Sequence, residues 1–355
     1  MIDTPRSVVV LRALALGDLL CAVPTFRAMR RAWPDAHIAL VGLPWSVEFV
    51  RRYGHYLDEH IEFPGYPGLP GLTVTPERLE AFLDEVAARA FDLAVQLHGD
   101  GQVTNALVAR FGARRMASAH GPGGWPVRPG DVSVSYPSDA HEIHRALAVA
   151  RAMGLPADDD RLEFPIRQAD RDELAEAIAR RDEAGRGLEP GRYAVVHPGA
   201  KAAERRWPAA SFAPVADHLA GRGFRVVITG VEGERPVATA LRAAMDDAHR
   251  ESVLDLVGAT TLGAVGALVD GASVVVSNDT GISHLAAATR TRSVVLSIAA
   301  DPRRWAPLDR RLHRSVGTGD PSRPIAVEEV TAAIEGVLRA DPSAMGAPHG
   351  VPACR

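Results

Sequence analysis

The stretch VVVSNDTGISHLAAA, residues 274–288, has the pattern of a buried strand that passes through a short polar loop into a helix. The valines and Asn278 form the expected strand, and the helix is expected from about Ile282. A strand followed at once by a helix is the repeating unit of a parallel α/β sheet. This stretch therefore predicts an α/β fold.

The same order of strand and helix recurs along the chain, which is the doubly wound arrangement. The strand patterns are SVVVLR (7–12), HIALVG (37–42), FDLAVQL (91–97), RYAVVHPG (192–199), FRVVITG (224–230), SVVVSND (273–279) and SVVLSIA (293–299). Helical patterns cover residues 19–33, 102–112, 141–154, 209–220 and 236–245. This alternation predicts two doubly wound α/β domains, one after the other along the chain.

The domain boundary is expected near AGRGLEPGR, residues 184–192, where a charged helical pattern ends in a turn-rich segment. A length of 355 residues also favours two domains over a single hydrophobic core. We predict an N-terminal domain over 1–180, a C-terminal domain over 190–340 and a mobile tail over 341–355, which is rich in Pro, Gly and Ala.

Composition and charge argue against several classes of protein. The net charge of -4 gives no global attraction to nucleic acid. Two cysteines, Cys21 and Cys354, cannot build a disulfide scaffold and suit a reducing compartment. The N-terminus lacks a secretory signal pattern, and no window is long and apolar enough to span a membrane. These features predict a cytoplasmic protein with no nucleic-acid partner.

After the strand that ends at Asn278, the loop presents a carboxylate, a hydroxyl and backbone amides at the start of a helix. They belong to Asp279, Thr280 and Gly281, and His284 follows one turn into the helix. A structural loop needs a glycine or a capping residue, but it has little need of these four residues together. The pattern is typical of a site for a polar ligand.

Two other loops that follow strands carry charged residues. Lys201, Arg205 and Arg206 lie close together in HPGAKAAERRWP, where a strand runs into a helix, and this position suits phosphate binding. The alternative is a solvated basic turn. In ITGVEGE, Glu232 could accept hydrogen bonds from a ribose or a base, although taken alone it is a weak signal.

Gly17 and Asp18 follow the first strand, in LRALALGDLLCAVP. Glycine permits close approach of the backbone, and Asp18 would stand at the start of the next helix. On spacing alone, the alternative that Asp18 is simply an N-cap is favoured. No GxGxxG pattern follows this strand, so a dinucleotide cofactor is not indicated. A metal site is not indicated either, because His141 and His144 lack further ligands nearby in the sequence.

Taken together, these motifs resemble glycosyltransferase family 9, the ADP-heptose:lipopolysaccharide heptosyltransferases and their relatives. The resemblance covers nearly the whole chain. It rests on VVLRALALGDLLCAVPTFRAMRRAWPDAHIALVG, HPGAKAAERRWP, VVITGVEGE, VVSNDTGISHLAAA and ADPRRWAPLD, in the family's order. It implies a GT-B architecture of two facing Rossmann-like, doubly wound domains, an inverting transfer with no required metal or cofactor, and an acceptor side built mainly by the N-terminal domain.

The resemblance also implies roles for individual residues. Asp18, beside Gly17 on the acceptor side, matches the general base that takes the proton from the acceptor hydroxyl. Arg205 matches a basic position facing the donor phosphates, and Lys201 departs from the family in standing where relatives often have Ser or Thr. Glu232 matches a residue implicated in holding the nucleoside. The residues that match the donor-binding segment are Asp279, Thr280, Gly281 and His284.

The resulting expectation is a transferase that moves a heptose or a related sugar from an ADP-sugar donor, by default to a lipopolysaccharide core sugar. A lipid-linked acceptor would bring peripheral contact with the inner face of the membrane. The alternatives are transfer to a small-molecule natural product, a nucleotide-sugar epimerase or hydrolase on the same fold, and a non-catalytic nucleotide-sugar binding protein. Arg27, Arg30 and Arg31 fit an anionic membrane or acceptor carboxylate, and equally a solvated helix face.

Overall fold

The computed structural model describes residues 4–340. The tail that the sequence predicts over 341–355 lies outside the described residues. The described residues divide into two compact units, 4–161 and 162–340. Each unit has its own parallel sheet and its own hydrophobic core.

The first unit has one sheet within its described residues. Its strands are β1 (Ser7–Leu11), β2 (His37–Gly42), β3 (Glu59–Glu62), β4 (Leu93–Gln96), β5 (Arg115–His120) and β6 (Val132–Ser135). Its helices are α1 (Leu16–Ala32), α2 (Ser46–Arg52), α3 (Pro76–Ala88), α4 (Thr104–Ala109) and α5 (Glu142–Ala152). The strands lie in the order β3-β2-β1-β4-β5-β6, and all neighbouring pairs are parallel.

The second unit repeats this plan over its described residues. Its strands are β7 (Tyr193–His197), β8 (Arg225–Ile228), β9 (Leu254–Asp255), β10 (Val274–Asn278), β11 (Ser293–Leu296) and β12 (His313–Val316). Its helices are α6 (Gln168–Arg181), α7 (Ala209–Gly221), α8 (Arg235–Ala244), α9 (Asp247–Arg250), α10 (Leu262–Asp270), α11 (Gly281–Ala288), α12 (Pro302–Trp305) and α13 (Val327–Arg339). The parallel sheet has the order β12-β11-β10-β7-β8-β9.

Numbered from the first strand of each unit, both sheets have the Rossmann order 3-2-1-4-5-6. The order reverses between β1 and β4 in the first unit, and between β7 and β10 in the second. At such a switch point two neighbouring strands lead to helices on opposite faces, which opens a crevice at their carboxyl ends. The doubly wound α/β fold predicted from the sequence is confirmed.

The strands form where the sequence places consecutive apolar, mostly β-branched residues. Val8, Val9 and Val10 of β1 are fully buried, as are Val275 and Val276 of β10. Helices cover both faces of a parallel sheet, so its central strands are apolar on both sides rather than alternating. This burial fixes the strand ends, and with them the positions of the polar loops that follow.

The helix α6 packs in the second unit, against α10. Arg171 pairs with Asp270 at 2.9 Å, and the ring of Phe164 lies against Gly266. Residues 162–181, which the sequence pattern placed in the N-terminal domain, therefore belong to the compact unit that follows. The turn-rich composition of residues 184–192 suggested a boundary there. The packing of α6 against α10 instead places the boundary after residue 161.

Candidate active site

The second unit carries most of the predicted site residues at the carboxyl ends of two neighbouring strands. The loop after β7 holds Lys201 and Arg205, and Asp279 directly follows β10, which pairs with β7. Open α/β sheets bind ligands at this edge, beside the strands where the order reverses. The fold thus brings together two stretches that lie far apart in the sequence.

Asn278, the last residue of β10, fastens the loop after β7 to this edge. Its fully buried side chain accepts a hydrogen bond from the backbone N–H of Trp207 at 3.0 Å. It also donates to the carbonyl oxygens of Pro198 and Gly199 at 2.8 and 3.2 Å. Trp207 is itself buried, with its ring against Phe212. The loop that carries the two cations is therefore anchored to the strand that carries Asp279.

Asp279 is a buried carboxylate with a guanidinium in its vicinity. Only 7% of its surface is exposed. Burial raises the pKa of Asp279 to about 6, and the positive charge of Arg205 acts in the opposite direction. Removing a carboxylate from water is unfavourable unless donors or charges compensate it. A strongly shifted acid at a switch point is a frequent feature of functional sites.

Thr280 and Gly281 begin the helix α11. Thr280 is the N-cap in extended backbone geometry, but its hydroxyl makes no capping hydrogen bond. Within residues 4–340 the buried Oγ1 of Thr280 has no hydrogen-bond partner. Buried polar atoms normally have one, and uncapped amides at a helix start attract anions. This end of α11 is suited to a polar, negatively charged ligand.

His284 lies one turn into α11 and is 3% exposed. Its ring contacts the edge of Trp305, with 6.0 Å between the ring centroids and an interplanar angle of 67°. The guanidinium of Arg304 lies over the Trp305 ring, 4.6 Å from its centroid. Aromatic packing therefore holds the imidazole close to the start of the helix.

The three basic residues of the loop after β7 differ in what they contact. Arg206 donates through Nε to the carbonyl oxygen of Ala200 at 2.7 Å and so supports the loop. Lys201 and Arg205 are exposed, and Arg205 ends a short 3₁₀ turn. Of the three, Lys201 and Arg205 therefore leave their charged groups accessible, whereas Arg206 supports the loop itself.

Glu232 and Glu234, both in the loop after β8, have different surroundings. Glu232 is exposed and is held by Arg235 through two hydrogen bonds of 2.6 Å. Glu234 is buried, and its Oε2 accepts a hydrogen bond from the backbone N–H of Val231 at 2.9 Å. A Cβ atom at Gly199 would collide with the Glu234 carboxyl group, so the two loops pack through this glutamate. No sequence pattern distinguished Glu234 from Glu232, because burial alone separates them.

In the first unit, Asp18 lies in the first turn of α1, directly after β1. The N-cap of this helix is Ala15, so the alternative that Asp18 is the N-cap is wrong. Gly17 is buried and Asp18 is partly exposed. The positive end of the helix dipole favours a carboxylate at this position. Asp18 therefore stands beside the switch point between β1 and β4.

A buried charged network near Asp18 was not indicated by any motif. Arg12 and Glu142, which are 2% and 4% exposed, pair at 3.1 Å. Burial, followed by the charge of Arg12, lowers the pKa of His98 to about 4, so this imidazole is neutral near pH 7. The available signal was a single arginine inside the apolar run VVVLRALAL, since arginine is seldom buried unless paired.

The three arginines late in α1 form ion pairs with carboxylates of their own unit. Arg27, Arg30 and Arg31 lie 3.2, 2.6 and 3.8 Å from the carboxylate oxygens of Asp159, Asp58 and Asp158. These pairs favour a structural surface over a docking site for a membrane or an acceptor carboxylate. None of the helices among residues 4–340 has the length and hydrophobicity that spanning a bilayer requires.

One group in the described part of the chain has the composition of a metal site. The ligand atoms of Asp217, Asp246 and His249 lie within 4.8 Å of one another. Asp217 accepts a hydrogen bond from the Asp246 backbone N–H and contacts His249 Nδ1 at 3.1 Å. These residues come late in α7 and shortly before β9, so they lie toward the amino ends of the strands. Asp279 lies at the opposite edge.

Sequence comparison relates the chain to heptosyltransferases. It matches the family described as Glycosyltransferase family 9 (heptosyltransferase) over residues 80–325. It is 32% identical over 104 residues to lipooligosaccharide heptosyltransferase 2 of Haemophilus influenzae, which covers 29% of this chain and 30% of that protein. It is 24% identical over 302 residues to lipopolysaccharide heptosyltransferase 3 of Escherichia coli K12, covering 82% of each. The first of these matches thus spans less than a third of its relative's length.

Structural comparison agrees with the sequence comparison. The solved structure of the E. coli ADP-heptose LPS heptosyltransferase II is similar over 94% of this chain and 98% of that chain, with a TM-score of 0.73 and 19% sequence identity. At this level of identity the likeness establishes the fold. The GT-B class of fold predicted from the sequence, with two Rossmann-like α/β domains, is confirmed.

Proposed function

The chain belongs to glycosyltransferase family 9, the heptosyltransferase family, and we propose that it transfers a heptose or a related sugar from an ADP-sugar to an acceptor hydroxyl. The reaction is inverting and needs no metal ion. One observation carries the proposal: the switch point of the second unit combines the buried Asp279, the cationic Arg205 and the uncapped start of α11. The relative of similar fold is named for ADP-heptose and LPS, which supports this donor and acceptor class.

In this proposal the second unit binds the donor. Lys201, Arg205 and the amides that begin with Gly281 face the diphosphate, because these groups supply positive charge without a metal ion. The Asp279 carboxylate accepts hydrogen bonds from sugar hydroxyls, and the Thr280 hydroxyl, which has no partner within residues 4–340, donates one to a phosphate oxygen. Their placement at one edge of the sheet supports this division of roles.

Glu232 is the proposed contact for the nucleoside, and His284 lies behind the donor-binding loop. Glu232 is already paired with Arg235, so binding a ribose hydroxyl would add an acceptor contact to an existing ion pair. His284 is only 3% exposed, so we do not assign it a main contact with the donor. Its proposed contribution is to support the first turn of α11. Both assignments rest on position and family membership.

The first unit supplies the base. The acceptor hydroxyl gives its proton to the Asp18 carboxylate while its oxygen forms a bond to the anomeric carbon. The bond from that carbon to the diphosphate oxygen breaks, and ADP leaves with the electron pair. A single displacement of this kind inverts the anomeric configuration. A positioned base and charge stabilisation of the leaving group are the two demands of this reaction.

The experiment that tests this function combines binding and turnover. Calorimetry with ADP, UDP and GDP identifies the nucleotide, and ADP is expected to bind most tightly. ADP-heptose and a truncated lipopolysaccharide core that lacks heptose then serve as donor and acceptor probes, with product detected by mass spectrometry. Heptose added to the core would support the proposal. Preference for another nucleotide, or formation of free or isomerised sugar without need of an acceptor, would instead favour a different transferase, a hydrolase or an epimerase.

A further inference from the structure

Arg12 is a buried arginine whose three contacts join three separate parts of the first unit. It directly follows β1, and its Nε donates to the backbone carbonyl oxygen of Asp18 at 2.7 Å. One terminal nitrogen, Nη1, donates to the carbonyl oxygen of Leu97, at the end of β4. The other, Nη2, donates to Glu142 Oε1 at 3.1 Å. The guanidinium thus links both strands of the switch point to the first residue of α5.

The partner of Arg12 is itself held in place. Glu142 is 4% exposed, and Arg145, one turn further along α5, lies 3.8 Å from its Oε2. Arg145 also donates to the Tyr136 hydroxyl at 3.0 Å and to the Ala140 carbonyl oxygen at 2.9 Å. Glu142 is therefore held by Arg145 on the side away from Arg12, and the contacts of Arg145 continue this network to Tyr136 and Ala140.

The acidic groups around Arg12 stabilise its charged form. Burial disfavours the charged guanidinium, but Glu142 and Asp18 outweigh this effect, so the pKa of Arg12 lies above its ordinary value. Arginine presents its donors in a rigid planar fork, and a lysine could not reach the same three partners together. The geometry needs arginine in particular, rather than any positive charge.

We propose that Arg12 is a positioning residue for Asp18: it fixes the first turn of α1 against β4 and α5, so that the Asp18 carboxylate is held where the acceptor hydroxyl is deprotonated. This inference rests on the proposed function, in which Asp18 is the base. Arg12 is 2% exposed, and each of its three guanidinium nitrogens donates a hydrogen bond within the protein, so its proposed role is to hold Asp18 and not to contact the substrate. The effect of losing it should therefore pass through Asp18.

The test is a double-mutant cycle between Arg12 and Asp18. Arg12→Met and Arg12→Lys are each made in the parental protein and in the Asp18→Asn variant, and ADP release is followed with ADP-heptose and the heptose-deficient core. Arg52→Met is the matched control, because Arg52 is also a buried arginine of the first unit, 3% exposed, and pairs with Glu48 at 3.3 Å. Arg52 is the last residue of α2, whereas Arg12 and Asp18 belong to the segment that runs from β1 into α1.

Arg12→Met is expected to lower kcat by about 10²-fold, the scale of a small misplacement of a catalytic group. Its KM for ADP-heptose and its Kd for ADP should change less than about 3-fold, since the donor site is in the other unit. The kcat of Arg12→Lys should lie between that of Arg12→Met and that of the parental protein. In the Asp18→Asn background, Arg12→Met should lower kcat only slightly further, because both substitutions remove the contribution of the positioned Asp18 carboxylate. Arg52→Met should keep the parental kcat.

Hydrogen exchange supplies a measurement that does not depend on turnover. Arg12→Met should speed exchange of the amides of residues 16–22 and leave those of the second unit unchanged. Two results would overturn the positioning role. The first is an unchanged exchange rate for the amides of residues 16–22. The second is a double variant whose fold-loss in kcat equals the product of the two single losses. Parental turnover in Asp18→Asn would instead overturn the base assignment itself. If Arg12→Met does not fold, the same criteria apply to Arg12→Lys.

Discussion

At the scale of single residues, Asp18 carries the chemistry of the proposed reaction. Asp18→Asn keeps the size of the side chain and removes the proton acceptor. We expect kcat to fall by about 10²- to 10⁴-fold, the usual contribution of a positioned base, with ADP affinity unchanged. Steady-state kinetics and calorimetry on the same preparation measure both quantities.

The control for this variant is Asp35→Asn, which removes an exposed carboxylate from the same unit. It should leave kcat at the parental value. Turnover of Asp18→Asn close to the parental rate would show that Asp18 serves only the helix dipole of α1. A loss of folding in Asp18→Asn would show that its carboxylate is structural.

Arg205 determines a second prediction at this scale, because its exposed guanidinium is placed to meet the donor diphosphate. Arg205→Ala should weaken ADP binding by about 1.5–3 kcal/mol, the range for a hydrogen bond to a charged group. Calorimetric titration with ADP measures the change. Arg180→Ala removes an exposed arginine of the same unit, which pairs with Glu176 at 3.5 Å, and should not alter ADP affinity. Equal affinity of the Arg205→Ala variant and the parental protein would refute the phosphate contact.

Asp279 gives a prediction about pH, since burial raises its pKa from 3.8 to about 6. The folded protein binds this proton more tightly than the unfolded chain, so ionisation of Asp279 lowers stability as the pH rises from about 4 to about 6. Asp279→Asn should therefore increase the free energy of unfolding at pH 7.5, by about 3 kcal/mol as an upper scale. The gain should disappear near pH 4, while ADP-heptose affinity is reduced.

Chemical denaturation between pH 4 and pH 8 measures this effect, and Asp182→Asn provides a control of opposite sign. The hydrogen bonds from Arg225 hold the pKa of Asp182 at about 2. Its ionised form stabilises the folded protein above about pH 4, and that contribution is lost as the pH falls toward 2. Asp182→Asn should thus lower stability at pH 7.5. A destabilised Asp279→Asn variant at this pH would contradict our account of Asp279.

At the scale of elements, the join between β10 and the loop after β7 links stability to binding. Asn278→Ala leaves the Trp207 amide and the Pro198 carbonyl oxygen without their side-chain partner. Each buried group left unsatisfied costs about 1–3 kcal/mol. We expect a lower free energy of unfolding and weaker ADP binding, because the loop that carries Lys201 and Arg205 is no longer held.

Ser277→Ala is the matched control in the same strand. Ser277 is also fully buried, but its Oγ has no hydrogen-bond partner within the described residues. Removing a hydroxyl of this kind should be neutral or slightly stabilising, and ADP affinity should not change. If Asn278→Ala binds ADP as tightly as Ser277→Ala does, the anchoring of the loop has no bearing on the donor.

At the scale of the whole molecule, the proposed charge arrangement predicts transfer without a divalent cation. Transfer of heptose should survive dialysis against EDTA and should not increase with Mg²⁺ or Mn²⁺. Cationic side chains and helix amides supply the positive charge that the leaving diphosphate requires. The group of Asp217, Asp246 and His249 lies toward the other edge of the sheet, so its occupancy should not affect kcat. Loss of activity on chelation, restored by metal, would refute this arrangement.

The alternation of strand and helix determined the fold class before any tertiary contact was known. The stretches that became β1, β2, β7 and β10 were predicted because consecutive apolar, mostly β-branched residues are needed where helices cover both faces of a sheet. The short strands β3, β5, β6, β9 and β12 were not predicted. Segments such as EHIE and RMASAH lack that pattern, and they form strands because a neighbouring strand offers hydrogen bonds.

The sequence by itself also determined the candidate donor segment, because Asp279, Thr280, Gly281 and His284 are close together along the chain. Only the tertiary structure decided that Arg205 lies close enough to Asp279 for their charges to interact, that Glu234 rather than Glu232 is buried, and that Arg12 supports Asp18. Packing also moved α6 into the second unit. The physical reason is common to all of these: periodicity along the chain specifies which face of an element is buried, whereas the partners of a buried charge come from strands and helices far away in the sequence.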